Sequence, residues 1–220
     1  AMTVVVSIIL VYTSINICGN LVLYFFRFDV GNEGAYSIFA AVAFAAQVLV
    51  MMVIPLLRKR FSKSQLFISG FIIQIAGFAV ILIMAFAKLY TPQSWYILCL
   101  PGILIYLGYG MLNVIMTIFL SDSVDYGEVM NGTREESVIF SMQTFTVKLA
   151  SGVAVFLAGL IVDWIHLDTS ATVQTQDTLD ALRMWMTIPS VILLIVGIFV
   201  FKRFYKLDDA RMEEIKSKLN

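Results

Sequence analysis

In a chain this apolar, the side chains that could do chemistry stand out against their surroundings. The first is Lys148, the one charge in the run from Val138 to Val162. It lies about eleven residues, or roughly 16 Å of helix rise, beyond Ser137. A hydrocarbon core is roughly 30 Å thick, so this places the ammonium near its middle. A lysine at that depth costs about 3 kcal/mol or more and faces protein or a water-filled cavity. At about 100° per residue, Ser137, Ser141, Thr144, Lys148 and Ser151 share one face, while Phe145, Val147, Leu149 and Val153 lie off its centre. A polar stripe around a cation suits the wall of a solvated pathway. The plainer alternative is a lysine that snorkels to an interface or pairs structurally.

Two further polar faces can be drawn. Thr13, Asn16, Asn20 and Tyr24 recur at helical spacing, as do Tyr106, Tyr109, Asn113 and Thr117. Amides in hydrocarbon need partners, which neighbouring helices could supply, and tyrosines at this spacing also serve as packing. The other reading is a cavity lining in which Asn20, Tyr24, Tyr106, Tyr109 and Asn113 are offered to a polar ligand. A charged set adjoins these faces: Asp122, Asp125 and Glu128, then Arg134, with a compact basic loop from Arg58 through Arg60 to Lys63. Opposite charges at one membrane face are expected to pair as a gating network. Each such pair, taken as water-exposed, would contribute about 0 to 1 kcal/mol.

The elements that must position these residues are membrane helices. Hydrophobic residues make up 60% and charged residues 14% of the 220, too apolar for a soluble domain of this length. Six spans near the roughly 20 residues of a crossing can be drawn, at about 4–26, 36–57, 66–87, 97–120, 138–162 and 182–201. The fold class is therefore all-α, with a six-helix bundle over 1–203 and an amphipathic tail over 204–220. The third span is apolar nearly all round and reads as a packing or lipid-facing helix. Cys18 and Cys99 have neither disulfide nor metal-ligand spacing. With both ends of the segment in the cytoplasm, the basic loop, Arg134 and the lysines and arginines from Lys202 onward lie inside, leaving Arg27, Lys88 and Arg183 outside. Trp95, Trp164 and Trp185 then all fall at the outer interface.

The stretch from Asp122 to Lys148 carries a resemblance. Its pattern DxVDYGE, then GxRxE, then FSxQTFxxK is similar to the central loop and following helix of the glycoside–pentoside–hexuronide:cation symporters, the melibiose-carrier relatives in the major facilitator superfamily. The matching residues are Asp122, Val124 to Glu128, Gly132, Arg134, Glu136, Phe140, Ser141, Gln143, Thr144, Phe145 and Lys148. The resemblance implies a twelve-helix sugar carrier of the bacterial inner membrane, of which this chain is the C-terminal six-helix half. It implies that the first and fourth helices line the cavity, the fifth flanks it, and Gln143 joins Thr144 and Lys148 at the substrate and cation site.

From that implication follow the expected partners: the bilayer, an N-terminal six-helix half, a small-molecule glycoside, and no nucleic acid. No permanently bound cofactor is expected. A coupling cation (sodium, proton or lithium) is expected in the complete carrier, held by carboxylates of the other half, since no Asp or Glu lies inside any span here. The opening Ala1-Met2 at the mouth of a helix reads as a fragment or a shortened reading frame. An intramembrane enzyme finds no Ser/His, metal-ligand or paired-carboxylate arrangement within a span. The rival reading is a six-helix module acting alone, as a sensor or a homodimeric small transporter.

Overall fold

The computed structural model describes residues 2–133 and 135–204, so Arg134 and most of the expected tail lie outside the described residues. Six helices account for nearly all of it: α1 (Met2–Tyr24), α2 (Ala35–Leu57), α3 (Lys63–Phe86), α4 (Cys99–Asn131), α5 (Glu136–Trp164) and α6 (Gln176–Phe204). No strand occurs among the described residues. All six are long and apolar enough to cross a membrane. Helix α1 ends in a π-helical turn, Phe25–Val30, closed by Gly31 in the left-handed region at φ 75°. Gly132 at φ 73° ends α4 in the same way, as only glycine does without steric cost. Ser62 and Gln65 form a reciprocal cap at the start of α3, satisfying donors that the first turn leaves open.

The helices run further than hydropathy alone suggests. Asp122, Asp125 and Glu128, expected in a loop after the fourth span, lie within α4, and α6 begins at Gln176, before Asp180 and Arg183. Helical backbone hydrogen bonding continues through charged residues that lie at or beyond the hydrocarbon boundary; only the hydropathy stops there.

Packing centres on two helices. α4 lies between α2 and α3, and α1 between α5 and α6, while α3 and α6 join the two groups. Small residues make the α3–α4 contact a backbone contact. A Cβ on Gly108 would sit 2.6 Å from the Gly70 carbonyl oxygen, and one on Gly77 would sit 2.7 Å from the Ile105 nitrogen. Without a water-driven hydrophobic term inside lipid, such close approach is what holds helices together. Phe67, Phe71, Phe119 and Phe201 fill the junction of α3, α4 and α6. α1 and α6 are tied by a reciprocal pair: Ser14 Oγ donates to the Ser190 carbonyl at 3.1 Å, and Ser190 Oγ to the Ser14 carbonyl at 2.9 Å.

Helix α5 is the least covered of the six, and its surface divides into three sectors. Thr146, Ala150, Ala154, Ala158 and Ile161 are buried in the bundle, chiefly against α1. Met142, Phe145, Leu149, Val153, Phe156 and Leu160 form an exposed, wholly apolar sector suited to lipid. Between these two runs a third sector with Ser137, Ser141, Thr144 and Lys148 toward the start and Val155, Gly159 and Val162 toward the end.

Candidate functional site: polar faces of α1, α4 and α5

The polar residues expected to line a cavity gather in two places. On the α1–α4 side, Asn113 Nδ2 donates to Tyr12 Oη at 2.8 Å. The Tyr12 ring meets Tyr109 edge-on at 5.6 Å, and Tyr109 meets Tyr106 in the same manner at 6.3 Å. All four are half-buried, and Thr117, one turn beyond Asn113, is exposed. The sequence reading missed Tyr12 and put Thr13 on this face instead. Thr13 is turned into the core, with no hydrogen-bond partner for its Oγ1 among the described residues. Positions 12 and 13 stand one turn before Asn16 equally well, at i−4 and i−3, so spacing cannot choose between them. Pairing with Asn113 is what favours Tyr12.

On the α1–α5 side, Asn20 and Tyr24 line a groove of about 230 Å³ with Val155, Ala158, Gly159 and Val162. Asn16 and Asn20 do not bond across helices. Asn16 Nδ2 donates to the Tyr12 carbonyl and Asn20 Nδ2 to the Asn16 carbonyl, both at 2.7 Å. This back-bonding satisfies one amide hydrogen locally and leaves each side-chain oxygen free to accept from a ligand. Asn20 is exposed.

Lys148 is exposed as well and makes no hydrogen bond or ion pair among the described residues. It stands seven residues before Val155, two turns along the same sector of α5, so it continues the groove side of that helix. Thr144 is exposed one turn earlier, its hydroxyl donating to the Phe140 carbonyl at 3.1 Å. Gln143 stands apart from them. Seven residues before Ala150, it lies on the sector turned toward the bundle and is half-buried.

The charged residues form a more buried arrangement than expected. Lys63 Nζ donates to Asp122 Oδ2, and the two side chains are only 9% and 2% exposed. The expectation of water-exposed pairs is therefore corrected at this position: α3 and α4 approach so closely that the pair is enclosed between them. Asp125 and Glu128 follow half-buried on α4. Arg58 donates weakly to the Phe61 carbonyl at 3.4 Å, and Arg60 is exposed.

A second charged cluster, at the opposite end of the bundle, escaped the sequence reading. Asp29, in the π-helical turn, accepts from Arg183 Nε at 2.8 Å and Nη2 at 2.5 Å, and Tyr90 Oη donates to it at 2.6 Å. Arg183 Nη1 reaches Asp180 at 2.6 Å. Burial, followed by the hydrogen bond to Asp29, pushes the Tyr90 phenol well above its ordinary range, so it remains a donor. A third surprise is Gln74, in the helix read as plain. It is fully buried, and neither its amide nitrogen nor its oxygen has a partner among the described residues.

The comparisons with known proteins agree on the class. The profile of the family described as MFS/sugar transport protein matches residues 1–209. An uncharacterized symporter of Bacillus subtilis, YjmB, is 26% identical over the whole chain, which covers 46% of that relative. The raffinose carrier protein of Pediococcus pentosaceus is 23% identical over 93% of the chain and 31% of its own length. The isoprimeverose transporter of Lactiplantibacillus pentosus is 26% identical over 84% of the chain and 37% of its own length. The chain thus spans less than half the length of these relatives. With six membrane-spanning helices and a profile match over nearly its full length, the chain is a multi-pass membrane protein that belongs to the MFS/sugar transport family.

Proposed function

We propose that this chain is the C-terminal six-helix half of a bacterial sugar:cation symporter, working by alternating access against an N-terminal six-helix half. The observation that carries the reading is the uncovered polar surface of α1, α4 and α5. Asn20, Thr117, Thr144 and Lys148 are exposed beside half-buried Tyr12, Tyr109 and Asn113, on helices whose other faces are packed or apolar. In a bilayer such a surface needs a polar counterpart, and a second half enclosing a water-filled cavity would supply one. The names of the relatives point to glycosides such as raffinose and isoprimeverose as the substrate class.

In this reading Asn20, Tyr24, Tyr109 and Asn113 contact the sugar, with hydroxyls hydrogen-bonded to amide and phenol groups. Lys148 faces the cavity, with Thr144 beside it, and answers carboxylates of the other half that hold the coupling cation. When the cation occupies those carboxylates, the lysine loses its counter-charge, which couples the two cargoes. Both ends of this segment lie on the cytoplasmic side of the inner membrane, as the lysine and arginine bias supports. The chain serves as one half of a carrier and not as an enzyme.

The test is uptake of labelled glycosides by cells that make this chain together with an N-terminal six-helix half, each half alone, or neither. Uptake that requires both halves is the expected result. Uptake by this chain alone would support the self-sufficient homodimeric module instead.

A further inference from the structure

We infer that Asp29, Arg183 and Tyr90 are positioning residues for the Asn20–Tyr24 groove, acting through the π-helical turn that ends α1. The inference rests on the sugar-carrier reading for its transport readout only. The chain of contacts begins at Asp29, whose two carboxylate oxygens take three donors, from Arg183 Nε, Arg183 Nη2 and Tyr90 Oη. The carboxylate and the guanidinium are 2% and 4% exposed. A carboxylate so enclosed cannot shift without leaving a buried charge uncompensated.

What holds Asp29 is itself fixed. Arg183 is anchored on Asp180 and lies over the Phe86 ring at 5.8 Å, at the end of α3. Tyr90 packs edge-on against Phe25 at 5.5 Å. The chain leaves the turn through Gly31, and Asn32 Nδ2 then donates to the Pro92 carbonyl at 3.1 Å. The turn is thus tied to α3, α6 and the connection before α4.

The contacts then lead back toward the groove. Phe28, next to Asp29, stacks on Tyr24 with ring centres 6.5 Å apart and planes 7° from parallel. Arg27 covers the Phe28 ring at 5.0 Å. Tyr24 lines the groove one turn after Asn20. A π turn wraps its chain more loosely than an α-helix, so the rotation of the residues around it is set by what grips them. Here the grip is on Asp29, and it fixes where Phe28 holds the Tyr24 ring.

Two measurements decide this. In this chain, with Cys18 and Cys99 replaced by Ala, the rate of maleimide labelling at Val155→Cys, on the facing wall of the groove, reads how far the Tyr24 ring covers it. Asp29→Asn and Tyr90→Phe are expected to change that rate several-fold. Glu33→Gln, which removes only the exposed 3.7 Å pair with Arg27, is expected to leave it unchanged. In the complete carrier, Asp29→Asn is expected to raise the KM for glycoside several-fold with Vmax per inserted molecule kept, and Asp29→Glu to recover part of the affinity. Should Asp29→Asn fail to insert, Tyr90→Phe, which keeps the ion pair, carries both measurements. An unchanged labelling rate, or a loss confined to yield or Vmax, would overturn the inference. Absence of any glycoside uptake by the wild type would instead count against the carrier reading, with the labelling result still deciding the positioning role.

Discussion

Two buried ion pairs among the described residues lie at opposite ends of the bundle and are built differently. Lys63 and Asp122 join neighbouring helices whose backbones already touch at Gly70, Gly77 and Gly108. Asp29 and Arg183 are 154 residues apart and join a helix-ending turn to the first turns of α6, with Tyr90 closing the cluster from a third segment. At the first end the helices would stay together without the charges. At the second, the segments meet through side chains, with Phe25, Phe26 and Val30 buried beside the charges. A buried charge pair therefore has most to hold where backbone packing has least, and least where glycine contacts already set the geometry.

This difference can be broken by mutation. Asp29→Ala leaves the buried Arg183 only its pair with the partly exposed Asp180 and is expected to destabilise the folded chain by about 3 kcal/mol or somewhat more, the lower part of the range for a broken buried pair, in a detergent unfolding titration. Asp29→Leu combined with Arg183→Met, which removes both charges, should recover most of that loss. Lys63→Ala should cost less, about 2–3 kcal/mol, the scale of a hydrogen bond to a charged group. A larger loss at Lys63 than at Asp29 would reverse the comparison. Gly108→Ala tests the backbone side of the argument. Its methyl would meet the Gly70 oxygen and the Gln74 nitrogen at 2.6 Å, so a loss of about 1–3 kcal/mol is expected from overpacking.

The smallest expected effect sharpens the comparison from the other side. Gln74 is as buried as either ion pair, yet its amide has no partner among the described residues. Gln74→Leu should be neutral or stabilising, within about 1 kcal/mol, because it removes an unsatisfied group while keeping the volume near constant. A thermal shift downward by more than that would show that the amide is bonded in the membrane.

How much of this was legible in the sequence follows from the range of each signal. Six apolar spans and the polar sector around Lys148 are properties of single helices, and length and periodicity report them. Tyr12 was hidden because its role depends on Asn113, a residue on another helix. Asp29, Tyr90 and Arg183 read as ordinary helix ends and loop residues, since nothing local marks a partner so distant along the chain. The burial of Asp122 depends on how closely α3 and α4 approach. The glycines that permit this, Gly70, Gly77 and Gly108, lie on two helices, and nothing local shows that they face one another. Gln74 carries no periodic signal, being one amide in an apolar helix.

The central claim is that the uncovered polar surface belongs to a transport pathway and not to a structural surface, and Lys148 tests it most directly. Exposed and unpaired among the described residues, it contributes little to the stability of this bundle. Accumulation of labelled glycoside should be measured in the complete carrier with Lys148→Val, normalised to inserted protein. The expected result is insertion and thermal stability like the wild type, with accumulation against a gradient abolished. Wild-type accumulation by properly inserted Lys148→Val protein would contradict the account.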